Sequence, residues 1–293
     1  MKRKVLPYLF MLPALSLVFF IFFGPFVSSI LLSMTDWDGI SRNFNFVGVR
    51  NFIQILKHEY IGIVFLNHLK FIILLVFFQN ALALFISLLL NQDYKAKNFF
   101  RAVIFLPTVI ASVAIGFIWS LIFDPFFGPI AIWSSKLGLK FVANIQWLGN
   151  PDLALYSVTF VQIWKWIGWY MAIYLAGLQT IPGELYETAN IDGANPIQRL
   201  KYVTIPMLAP AITVNMVMAT IAALRIFDLP YILTKGGPGH FTETFSMVIF
   251  NYCFLLNNMG YGSAFSLLLF AMILVIAVFE MKYFRKGEET IVQ

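Results

Sequence analysis

Six runs of mainly apolar residues, near 6–32, 69–90, 102–123, 153–178, 207–233 and 262–282, dominate this chain. Each is long enough for a helix to cross the hydrocarbon core of a bilayer, which takes about 20 residues. Water does not reach unpaired backbone groups in that solvent, so only helices or closed barrels span it, and runs of this length select helices. Composition agrees: 60% of residues are hydrophobic and 12% charged, against roughly 25% charged in a soluble domain. Such a chain has too little polar surface to face water all round. The expectation is an all-α membrane protein with six transmembrane helices, residues 1–293 forming a single domain.

The opening Met-Lys-Arg-Lys precedes an apolar run that outlasts a signal-peptide core and lacks an Ala-x-Ala-like cleavage site, so it reads as a retained first helix. Outside the spans, Lys2, Arg3, Lys4, Lys95, Lys97, Arg101, Arg199, Lys201, Lys282, Arg285 and Lys286 fall on one side. Arg42, Arg50, Lys57, Lys136, Lys140 and Lys235 fall on the other, in longer loops. The positive-inside rule therefore places both termini in the cytoplasm. The outer segments 34–60 and 124–152, with Trp37, Trp133 and Trp147, read as short interfacial pieces. Residues 241–258 are apolar but interrupted by Asn251, Asn257 and Asn258, and read as an interfacial or partly inserted helix.

Several chemistries are disfavoured. One cysteine, Cys253, permits no disulfide within the chain, and His58, His68 and His240 have no metal-ligand spacing, so no metal site is expected. The net charge of +6 is dispersed between apolar runs, which argues against nucleic acid as a partner. No G-x-x-x-x-G-K-[ST] phosphate loop occurs, so ATP hydrolysis by that route is not expected of this chain.

Between two apolar runs lies Glu-Thr-Ala-Asn-Ile-Asp-Gly-Ala-Asn-Pro-Ile-Gln-Arg-Leu-Lys-Tyr-Val-Thr-Ile-Pro, residues 187–206, a stretch suited to water. Residues 184–190 suit one short helix, Gly193 a turn, Asn195 the N-cap and Pro196 the first turn of a second helix, with Pro206 marking the return to the bilayer. Chemistry alone allows this bracket to float its apolar side on lipid headgroups.

The sequence YETANIDGANPIQRLKYVTIPML resembles the EAA loop of permease subunits in binding-protein-dependent ABC importers. Glu187, Ala189, Asp192, Gly193, Ala194 and Pro206 match that pattern, whereas Thr188, Leu200 and Ile205 replace its common Ala, Phe and Leu. AGLQTIPGELYE (176–187), FDLPYILTKGGPG (227–239) and FVGVRNF (46–52) extend the resemblance over most of the chain, to carbohydrate-type permeases similar to the maltose-transporter subunits. The resemblance implies a type I ABC importer permease fold with the cytoplasmic loop 184–206 as coupling helix, its Glu187 and Gly193 centred in a groove of a cytoplasmic ATPase. It also implies the partners: a second homologous permease, two ABC ATPase subunits that bind ATP and Mg, and an extracellular or lipid-anchored solute-binding protein. No cofactor is expected in this chain, and the location is the bacterial plasma membrane. The loop residues Thr234, Gly236, Gly237 and Pro238 either only link helices or touch the binding protein.

Charges within spans usually face a cavity, which singles out Lys165, Arg225 and Asp228. Arg225 and Asp228, three apart, suit an ion pair on one helix face, whereas Lys165 has no such partner. Gln162, Lys165, Trp166 and Trp169 follow i, i+3, i+4, i+7 and share one stripe. That stripe suits a sugar, whose C–H face covers indoles and whose hydroxyls meet polar groups. It equally suits an interfacial aromatic belt with a snorkelling lysine. The maltose-type resemblance implies the first reading, with Ala219, Ala222, Ala223 and Ile226 as the lining of the next helix. Those small or apolar side chains argue against maltose itself and suggest a larger saccharide or specificity supplied by the second permease. An anionic cargo, such as an acidic oligosaccharide or glycerol-3-phosphate, is the alternative. An ion-coupled secondary transporter fits less well, because no internal repeat is visible and Asp228 is the only acidic residue well inside a span. An intramembrane enzyme lacks convergent catalytic groups.

Overall fold

The computed structural model describes residues 2–292, with side chains for 10–283. The side chains of Lys2, Arg3, Lys4, Arg285 and Lys286, used above for orientation, lie outside the described ones. Among the described residues the chain is all helical, with no strand and one isolated antiparallel bridge between Thr35 and Phe46. The principal helices are α1 (Phe10–Leu32), α2 (Ile61–Leu90), α3 (Lys97–Val109), α4 (Ser112–Ile122), α5 (Pro151–Gln179), α6 (Gly183–Ile191), α7 (Pro196–Met207), α8 (Ala209–Leu224), α9 (Asp228–Thr234) and α10 (Met259–Tyr283).

Three of them, α1, α2 and α10, are long and apolar enough to cross a membrane, and up to five spans result if each bent pair counts as one. Helix α5 has ample length, but its Gln162, Lys165, Trp and Tyr residues make it less apolar. Two expected straight spans are bent or broken. The run 102–123 turns through 99° between α3 and α4, where Ile110 and Ala111 adopt extended ψ values of 137° and 136°. The run 207–233 ends as a helix at Leu224 and restarts at Asp228. Helix α2 begins at Ile61 rather than 69, so His68 is interior to it and 1% exposed. The 241–258 segment contains the helix Phe245–Leu255, shorter than a span.

The chain divides into two compact units. The first comprises Met1–Ile61 and Ser246–Ala271. Its turn after α1 is held by buried Asn51, whose Nδ2 donates to the carbonyls of Ser33 and Thr35 at 2.8 Å each. The His58 ring there packs among Tyr252, Tyr261 and Phe265.

The second unit comprises Gly62–Phe245 and Met272–Gln293, and α5 runs through its core. Asn150 caps α5 by accepting from the Asp152 N–H at 2.8 Å, and Pro151 occupies its first turn. A Cβ on Gly168 of α5 would stand 2.5 Å from the Ile104 carbonyl oxygen and 2.6 Å from the Phe105 Cα. Only glycine allows α5 and α3 to approach backbone to backbone there, the usual device for packing helices in lipid. Phe71, Leu75, Ile115, Leu155, Val158, Val161 and Leu229 form the apolar centre beside it. Glu280 is an acidic residue within the apolar helix α10, and its Oε1 accepts from the Thr220 hydroxyl at 2.7 Å.

Candidate functional site

Within the second unit, α2, α4, α5, α8 and the start of α9 enclose a cavity of about 740 Å³, inside the usual range for small-ligand sites. Gln162, Trp166 and Trp169 of the predicted stripe line it, as do Ala219, Ala222 and Ile226. Two predicted residues do not. Ala223 is 0% exposed and belongs to the apolar core. Lys165 is 3% exposed and points from α5 towards the α3–α4 bend, where its Nζ donates to the Ser112 hydroxyl and lies 5.2 Å from the Trp166 ring centroid. It is therefore partnered, contrary to expectation. A straight helical stripe is about 100° wide, and the sharp bend at 110–111 brings Ser112 over its edge, so Lys165 is covered while its neighbours stay open.

The cavity also contains residues that periodicity did not single out: Gln79, Ser112, Tyr170 and Phe227. Gln79 closes a π-helical turn, Leu74–Gln79, inside α2. Such an inserted residue shifts the helical phase, which a 3.6-residue count from the sequence cannot follow.

Arg225 and Asp228 both line the cavity, but the expected ion pair on one helix face does not form among the described residues. The helix that would carry both is interrupted between them: Arg225 follows the last residue of α8, Phe227 has φ −140°, and Asp228 opens α9. The i, i+3 geometry needed for pairing is thereby lost.

The water-suited bracket forms as expected from its caps. Helix α6 ends at Ile191, Gly193 turns with φ +76°, and Asn195 opens α7. The Asn195 Oδ1 accepts from the Gln198 N–H at 2.9 Å while the Gln198 Oε1 accepts from the Asn195 N–H at 2.8 Å, a reciprocal capping box. Arg199 Nη1 donates to Asn190 Oδ1 at 2.7 Å across the turn. Glu187, Asp192 and Gly193 are exposed, Ala189 and Ala194 half-buried, and Pro206 lies in the last turn of α7 before a 70° bend into α8. Ile191 and Ile197, 87% and 76% exposed, give the tip of the bracket an apolar surface.

The Thr234–Pro238 loop is tightly held. Thr234 and Thr242 share a hydrogen bond of 2.6 Å between hydroxyls, Thr242 Oγ1 donates to the Gly237 carbonyl, and Gly236 is buried. Gly237 and Pro238 are half-buried.

Comparison with known proteins assigns this architecture to a class. Residues 79–285 match the family described as "Binding-protein-dependent transport system inner membrane component". The chain is 32% identical over 281 residues to the trehalose/maltose transport system permease protein MalF of Thermococcus litoralis, covering 96% of this chain and 94% of that protein. It is 34% identical over 275 residues to the multiple sugar-binding transport system permease protein MsmF of Streptococcus mutans, covering 94% and 92%. It superposes with a TM-score of 0.85, at 22% identity, on a chain of a bacterial ABC transporter that imports the acidic polysaccharide alginate, covering 97% of this chain and 96% of that one. The chain belongs to the binding-protein-dependent transport system inner membrane component family. Its relatives are permease proteins, the translocation subunits of such systems, and the chain is a multi-pass protein of the bacterial plasma membrane.

Proposed function

We propose that this chain is one permease half of an ATP-driven importer that moves a sugar or oligosaccharide, delivered by an extracellular binding protein, into the cytoplasm by alternating access. One observation carries the reading: a cavity of about 740 Å³ in which two indoles and a tyrosine face Gln79, Gln162, Arg225 and Asp228, at a break in a helix of the kind transporters use for cargo. Aromatic faces cover sugar C–H surfaces, while amides and charges bond hydroxyls. The sugar-transport names of the relatives point the same way.

In this reading six spans place both termini in the cytoplasm. Residues 184–206 couple to an ATPase subunit that holds ATP and Mg, through Glu187, Ala189, Asp192, Gly193, Ala194 and Pro206. A second, similar permease completes the path, and Thr234, Gly236, Gly237 and Pro238 face the binding protein. An anionic cargo is the second reading, favoured by the Arg225 guanidinium lining the cavity without an ion pair among the described residues.

The test is purification from native membranes of the wild type and Gly193→Asp, followed by identification of bound subunits and an ATPase assay. An ATPase and a second permease accompany the wild type, and the variant loses the ATPase. A wild type that purifies alone, folded and without ATPase activity, overturns the importer reading.

A further inference from the structure

The break at Arg225–Phe227 poses a problem of unmet carbonyls. In an uninterrupted helix the Leu224 carbonyl would accept from the N–H of residue 228 and the Ile226 carbonyl from that of residue 230. The first partner is lost where Phe227 leaves helical geometry, and the second never exists, because residue 230 is proline. Leu224 and Ile226 are 0% and 4% exposed, so neither carbonyl can turn to water. A buried backbone group of this kind must find a partner in the protein.

Two buried side chains meet this need. The Thr244 hydroxyl, on a residue 0% exposed, donates to the Ile226 carbonyl at 2.9 Å. His68 of α2 reaches the Leu224 carbonyl with Nε2 at 3.3 Å, while its Nδ1 lies 3.4 Å from the Phe245 amide nitrogen, which donates to it. The tautomer with the proton on Nε2 satisfies both contacts at once. The Phe245 ring lies against the imidazole, with centroids 4.5 Å apart. Asn67, the preceding residue of α2, donates to the His240 and Glu243 carbonyls at 2.7 and 3.1 Å. Asn67 and His68 of α2 thus tie the 240–245 segment to the Leu224 carbonyl, and Thr244 of that segment meets the Ile226 carbonyl.

We infer that His68 and Thr244 are positioning residues: they hold the helix interruption in the one conformation that turns Arg225 into the cavity, and so set how that guanidinium meets cargo. This rests on the cavity being the cargo path, as proposed above. Without the two donors, the lower-energy course for residues 224–228 is to shift towards helical pairing of the Leu224 carbonyl, which rotates residue 225 away from the opening. The clamp also joins the segment after the Thr234–Pro238 loop to the cavity wall through α2, with no change needed in α8 itself.

The experiment uses the full transporter in membrane vesicles, with Cys253→Ser as background and a single cysteine placed at 225 or, as control, at 222. Each is labelled with 2-(trimethylammonium)ethyl methanethiosulfonate, with and without vanadate-trapped nucleotide. Thr244→Val and His68→Phe are expected to slow labelling at position 225 at least fivefold while leaving position 222 within twofold, and Thr244→Ser to restore the rate. Equal slowing at both positions, or loss of the protein from the membrane in both variants, indicates general support of the fold and overturns the assignment. An unchanged rate at 225 in both variants also overturns it. The importer reading fails separately if trapped nucleotide leaves labelling at both positions unaltered.

Discussion

The bracket between α6 and α7 and the interruption between α8 and α9 are both places where a helix stops and another starts within a few residues, yet they are stabilised by opposite means. The bracket satisfies itself: Asn195 and Gln198 exchange hydrogen bonds three residues apart, Gly193 takes φ +76°, and Arg199 reaches back only to Asn190. The interruption has no such local cap. Its carbonyls are met by Thr244, 18 residues away, and by His68, 156 residues away. Water explains the difference. An exposed helix end needs only modest help, because solvent takes the remaining groups. A buried end has no solvent to fall back on, so every group must be matched by a side chain brought in by the fold.

The largest expected effect breaks the buried side of this comparison. His68→Leu removes the donor to the Leu224 carbonyl and the acceptor that meets the Phe245 amide, and a buried group that loses its hydrogen bond costs roughly 1–3 kcal/mol. A drop in the thermal midpoint of the detergent-solubilised transporter checks it, and a midpoint unchanged within error would show that the contacts contribute nothing. Thr244→Val is expected to cost about 1–3 kcal/mol by the same logic. Pro230→Ala should recover part of that loss, since it supplies the N–H that the Ile226 carbonyl lacks. Equal losses with and without Pro230→Ala would contradict this account of the break.

On the water side the effects are smaller. Gly193→Ala meets no atom within 4 Å, so its cost is the left-handed backbone alone, about 1–2 kcal/mol. Asn195→Ala removes half of the capping box, about 1 kcal/mol. Both should lower ATPase coupling at elevated temperature more than they lower the amount of protein in the membrane, and the reverse pattern would count against a docking role for the bracket. The smallest effect is a pH response in another self-capped turn. The Asp38 carboxyl is held down to about 2 by the Ser41 hydroxyl and by the Ile40 and Ser41 amides. Because its pKa falls on folding, its contribution is fully present above the unfolded value near 3.9. It is lost only as the pH drops towards about 2. Titration by NMR of a labelled Asp38 checks this, and a midpoint near 3.9 would remove the turn's hydrogen bonds from the account.

What could be read beforehand divides along the same line. The helical class followed from the apolar runs, and the Gly193 turn and Asn195 cap followed from residue types whose partners lie within three positions. The stripe Gln162, Trp166 and Trp169 was legible because α5 is an uninterrupted helix of 29 residues. Lys165 was misjudged as lacking a partner because its partner, Ser112, sits beyond a 99° bend that no periodicity announces. Gln79 was missed because a π-helical turn displaces it, and His68 because the sequence pattern started α2 eight residues too late, at 69 instead of 61.

Length, apolar patterning and the short-range chemistry of caps and turns were therefore determined by the sequence itself, since each depends on interactions within a few residues or on the solvent the chain must face. The direction of Lys165, the separation of Arg225 from Asp228 and the capping of the interrupted helix were decided only by the tertiary structure. Those features depend on which distant donor arrives at which buried acceptor, and in a medium without water that pairing is available only once the helices have packed.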